Sequence, residues 1–98
     1  MPSFILTNEL NGHYSAEGEM TFSSLNKTSP LSFLNTAPEM TINLEKVTLV
    51  DSAGLSLMVE WIKQSKQYQS NLKFKNTPHQ LLTLAKLSDF AIKDYLLS

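Results

Sequence analysis

The chain has no cysteine, and that one absence removes a disulfide framework, a thiolate metal site and a cysteine nucleophile together. Histidine is nearly as scarce. His13 and His79 do not sit beside a second imidazole at ligand spacing. Both read as surface or helix-start residues, so no metal and no cofactor is expected. No apolar run approaches the ~20 residues of a membrane-spanning helix. The segment Met1–Glu9 has no basic stretch and too short an apolar part for a signal peptide, which makes the cytoplasm the expected location. Charge of one sign is not in excess either. Eight Lys and Arg against nine Asp and Glu leave a net charge of -1, scattered without runs. Nothing electrostatic therefore points to nucleic acid or anionic lipid as a direct ligand. Missing as well are Gly-x-x-x-x-Gly-Lys-Ser/Thr, Gly-x-Gly-x-x-Gly and a Ser-His pair placed by motif. A binding module, not an enzyme, is the expectation.

What is present suits one globular domain, residues 1–98. A chain of 98 residues that is 42% hydrophobic and 17% charged must use most of its apolar side chains to fill a single core. Phe4-Ile5-Leu6 reads as a first strand, Asn11-Gly12 as a turn and His13–Glu19 as a second strand, making a hairpin. Thr21 can cap a helix carrying Phe22, Leu25 and, after a break, Leu31, Phe33 and Leu34, but Pro30 inside it would cost ~3 kcal/mol. A kinked helix, or two short pieces with Ser29 as cap and Pro30 at the first position, is expected there. Met40–Leu44 alternates like a strand. Glu45-Lys46 interrupts it, and Val47–Val50 forms a further apolar approach to Asp51. A helix runs from Ser52 or Ala53 to about Tyr68, a strand covers Leu72–Lys75, and Thr77-Pro78 has the residue types of an N-cap and first helical position. Ala91–Leu97 can form a last short helix. The order β-β-α-β-α-β-α-α predicts an α/β domain: a mixed four-stranded sheet with helices mainly on one face.

Two features mark a working surface. The helix from Gly54 places Leu55, Met58, Val59, Ile62 and Lys66 on one side, and four of them are apolar at core spacing. Leu57, Trp61, Gln64 and Tyr68 line up on another side. A second stripe bearing tryptophan and tyrosine predicts a partner-facing surface, so Leu57, Trp61 and Tyr68 are candidate anchors. The loop before the helix, Asp51-Ser52-Ala53-Gly54-Leu55, is the other feature. Asp and Ser accept hydrogen bonds from the first free amides of a helix, and Gly54 permits close backbone approach. The same free amides would stabilise a phosphate on Ser52.

The stretch Ile42–Leu55, a strand, a valine-bearing connection and then Asp-Ser-x-Gly-Leu opening a helix, resembles the signature of STAS domains. These are the anti-sigma-factor-antagonist and sulfate-transporter family, and the element order agrees with that fold across nearly the whole chain. In the antagonist branch the serine after the aspartate is phosphorylated by a partner kinase. The resemblance thus implies Ser52 as phosphoacceptor and an anti-sigma factor/serine kinase as partner. In a second branch, MlaB-like STAS subunits bind the cytoplasmic ATPase of the Mla phospholipid-transport ABC complex. Leu82-Thr83-Leu84-Ala85-Lys86-Leu87 and Gly18-Glu19-Met20 resemble that branch more. Ser52 departs from it, standing where threonine is usual. The preferred implication is a non-catalytic subunit that supports an MlaF-like ABC transporter ATPase, held at the inner membrane through that partner. Its contact residues would be Asp51, Ser52, Ala53, Gly54, Leu57, Trp61 and Tyr68.

Overall fold

The computed structural model describes residues 3–25 and 37–96. In chain order the elements are β1 (Phe4–Asn8), β2 (His13–Met20), α1 (Phe22–Leu25), β3 (Glu39–Val50), α2 (Ser52–Gln67), β4 (Asn71–Lys75), α3 (His79–Leu87) and a final 3-10 turn (Ile92–Tyr95). The helical pieces expected around Ser29, Pro30, Leu31, Phe33 and Leu34 lie outside the described residues.

Asn11 and Gly12 both take positive φ, 54° and 82°, the geometry that lets a tight turn match the twist of its strands. They join β1 to β2 as an antiparallel pair, while β2–β3 and β3–β4 are parallel, giving the order β1-β2-β3-β4. Alternation does the rest. Phe4, Tyr14, Ala16, Met20, Met40, Ile42, Leu44, Leu72 and Phe74 are buried on one face. Their strand neighbours Ile5, Ser15, Glu17, Thr41, Asn43 and Lys73 point to the open face and are partly or fully exposed. The helices pack on the apolar face.

β3 runs unbroken through Glu45-Lys46, which corrects the expected interruption. Between Ser15↔Asn43 and Glu17↔Lys46, and again between Gly18↔Val47 and Glu19↔Leu49, β3 takes one residue more than β2. The first extra residue reverses the in-out phase and the second restores it. Glu45, Lys46 and Leu49 are thereby left outside, while Val50 returns to the core.

α2 corrects a larger expectation. Leu57 is 4% exposed and Trp61 0%, so neither is a surface anchor. With Gly54, Leu55, Met58, Ile62 and Ser65 they form one continuous buried face. At about 100° per residue that face spans about 160°. Trp61 sits between Phe4 and Phe74, each with ring centroids 6.3 Å away. Ser65 is accommodated because its Oγ donates to the Ile62 carbonyl at 2.7 Å. Val59 and Lys66, expected on the core side, lie at the rim, half-buried and exposed. Lys66 places its ammonium 5.6 Å from the Tyr95 ring centre. The hydrogen bond to Tyr95 holds the lysine pKa above its usual value.

α3 begins one residue later than expected. Pro78 is the N-cap, with ψ 144° and no side-chain cap bond. The Thr77 hydroxyl, expected to cap, is buried and has no hydrogen-bond partner among the described residues.

Candidate functional site

The carboxyl ends of β2 and β3 meet at Met20↔Val50, and each strand leads directly into a helix there. Asp51 stands at the junction. Its backbone N–H donates to the Met20 carbonyl at 3.2 Å. Its Oδ1 accepts from the Ala53 N–H at 2.9 Å, capping α2, and its Oδ2 accepts from the Phe22 N–H at 3.1 Å, at the start of α1. One carboxylate therefore holds two helix starts, satisfying amides that have no partner inside their helices. Thr21 contributes a cap of its own, accepting from the Ser24 N–H at 3.4 Å.

Gly54 is fixed by contact, not by turn geometry. A Cβ on it would lie 2.5 Å from the Met20 carbonyl oxygen and 2.9 Å from both Met20 Cβ and Val50 Cγ1. Only glycine lets the first turn of α2 rest on the ends of β2 and β3. Ala53 is half-buried, as is Asp51. Ser52, at the first helical position, is exposed. The loop thus has a rigid inner side and a single outward hydroxyl.

Two large apolar side chains lie open around this junction: Phe22, 67% exposed beside Asp51, and Leu49 at the end of β3. On the other side a groove of about 470 Å³ runs along α2. Ser52, Ser56, Val59 and Lys63 line it on the α2 side, and Ser88 and Phe90 line it across the gap. Glu60 and Lys63 pair at 3.5 Å on its exposed rim. Of the residues read from the sequence, Asp51, Ser52, Ala53 and Gly54 come together here. Tyr68 is 61% exposed, but it caps the far end of α2, about 24 Å away along a 16-residue helix. It does not join this patch.

Phe22, Ser88 and Phe90 were not among the residues singled out from sequence. Phe22 reads as core by residue type. Phe90 follows the break at Ser88-Asp89, and its place opposite α2 depends on how α3 packs.

Among the described residues neither histidine is hydrogen-bonded to Ser52. His13 opens β2, seven residues from Met20, or about 23 Å in an extended strand. His79 is exposed at the start of α3. Among the described residues no three His, Cys, Asp or Glu side chains gather as metal ligands, and no helix is long and apolar enough to cross a membrane.

No family model matches the sequence, and no curated protein matches it. Solved structures do match in shape. A sulfate transporter family protein from Wolinella succinogenes superimposes with a TM-score of 0.66 at 13% identity, over 86% of this chain and 73% of that one. The anti-sigma factor antagonist SpoIIAA in its unphosphorylated form gives 0.64 at 17% identity, over 97% and 87%. The two neighbours are a transporter-family protein and a regulator, and what they share with this chain is the architecture. The chain has the STAS-type fold: a mixed four-stranded sheet with helices packed on one face.

Proposed function

We propose that this domain is a non-catalytic docking subunit, and that its partner is the cytoplasmic ATPase of an Mla-type ABC transporter that maintains outer-membrane lipid asymmetry. The carrying observation is the groove beside Ser52. It joins the α2 start, where the STAS-like signature lies, to the loop directly after Thr83-Leu84-Ala85-Lys86-Leu87, the segment that resembles MlaB-like subunits. Asp51 and Gly54 act from within, holding the exposed Ser52 hydroxyl in a fixed place. Phe22 and Phe90 replace Leu57 and Trp61 as the apolar anchors, since anchors must be accessible before binding. Through that partner the domain would sit at the cytoplasmic side of the inner membrane without entering it.

A second reading, an anti-sigma factor antagonist switched by phosphorylation of Ser52, is favoured by the exposure of that hydroxyl at a helix start. A phosphoryl group there would lie near the positive end of the α2 dipole. The partner in that case is an anti-sigma factor with serine-kinase activity.

One substitution series separates the two. For an ATPase contact, Ser52→Arg abolishes co-purification with the co-expressed transporter ATPase, while Ser52→Ala weakens it less than about tenfold. Both variants would keep the wild-type fold by circular dichroism. Binding of an anti-sigma factor by Ser52→Ala and not by Ser52→Asp, with phosphate found on wild-type Ser52 by mass spectrometry and no ATPase bound, would establish the second reading instead.

A further inference from the structure

Sheet edges recruit further strands because one side of the edge backbone has no ladder partner. The two edges of this sheet differ. β4 carries Lys73 and Lys75, and it is bridged by Phe74↔Leu96 with Lys73 Nζ donating to the Asp94 carbonyl at 2.6 Å. β1, at the other edge, reads Phe4-Ile5-Leu6-Thr7-Asn8, with no charge, no proline and no register shift against β2. It lacks the usual protections of an edge strand, and among the described residues nothing pairs with its outer side.

The direction of its free groups follows from the bonds at its ends. The Glu19 N–H donates to the Ser3 carbonyl and the Glu9 N–H to the His13 carbonyl, both at 2.8 Å, so residues 3 and 9 face β2. Facing residues alternate in an antiparallel ladder. Ile5 and Thr7 therefore also face β2, while Phe4, Leu6 and Asn8 direct their N–H and C=O groups outward.

We infer that β1 pairs antiparallel with β1 of a second copy of this chain, about a two-fold axis at Leu6. Phe4 then lies opposite Asn8 of the other copy, and Leu6 opposite Leu6, each using the outward backbone groups. On the open face Ile5, 55% exposed, lies opposite Thr7, a pair of β-branched side chains. No like charges meet, because the strand has none. One strand supplies both halves of this match, as an isologous contact requires, and that is why the occupant is a second copy. The product is one continuous eight-stranded sheet, with the Ser52 junction free in both copies.

Sedimentation velocity on the full chain across a concentration series tests this. The wild type associates reversibly to a dimer. Ile5→Lys with Thr7→Lys sets ammonium groups opposite each other at two symmetric places and weakens the dimer about tenfold or more. Ile5→Lys with Thr7→Glu sets opposite charges there and retains it. Both positions are exposed, and circular dichroism checks that each variant keeps the fold. A wild type that stays monomeric to ~1 mM, a Lys/Lys variant that dimerises as well as wild type, or loss of the dimer in both variants would each overturn the inference.

Discussion

Asp51 serves two helices with one oxygen each, and its two tasks differ in how visible they are. Capping of α2 is local: Asp-Ser-x-Gly before an apolar periodic run is a recognisable start, and Oδ1 reaches the Ala53 N–H two residues on. The bond from Oδ2 to the Phe22 N–H spans 29 residues. It exists because β2 and β3 end side by side at Met20↔Val50, which no local pattern states. Replacing Asp51 by Ala should remove the cap and leave the Phe22 amide without its acceptor, destabilising the fold by about 2–3 kcal/mol. Asp51→Asn keeps one acceptor oxygen, so urea unfolding should show roughly half that loss. Equal midpoints for Asp51→Ala and wild type would mean that water satisfies both amides as well as the carboxylate does.

At the scale of the element, α2 shows why a correct period led to a wrong surface. The expected core stripe through Leu55, Met58 and Ile62 and the expected partner stripe through Leu57 and Trp61 are the two flanks of one buried face. Its centre line carries Gly54 and Ser65, small residues that do not count as apolar, so the middle of the face looks like a gap between two stripes. Gly54 is there for close approach to Met20, and Ser65 satisfies its own hydroxyl on the Ile62 carbonyl. Truncating the flank formerly assigned to a partner should therefore act on stability. Leu57→Ala is expected to cost about 2–4 kcal/mol and Trp61→Ala about 3–5 kcal/mol. Tyr68→Ala should stay within about 0.5 kcal/mol in the same denaturation series. β3 teaches the same lesson more mildly. Glu45-Lys46 breaks the alternation in sequence, yet the ladder continues by taking in extra residues.

For the whole molecule, the order of elements was readable from alternating periodicity, whereas right-handed crossovers only narrow the sheet orders that such a succession allows. Each strand pairs with its neighbour in the chain, so no strand waits for a distant segment to be inserted between earlier ones. What connects the first strand to the last is α2, through Trp61 and its ring contacts to Phe4 and Phe74. The chain has one tryptophan, and it occupies the point where β1, α2 and β4 converge. Its emission should be blue-shifted and resistant to acrylamide, and its change on denaturation should superimpose on the loss of far-ultraviolet dichroism. A fluorescence transition clearly ahead of the dichroic one would mean that β1 or β4 leaves the core before the helices melt. The indole thus gives this domain an intrinsic optical gauge of cooperativity, reading both edges of the sheet without any added label.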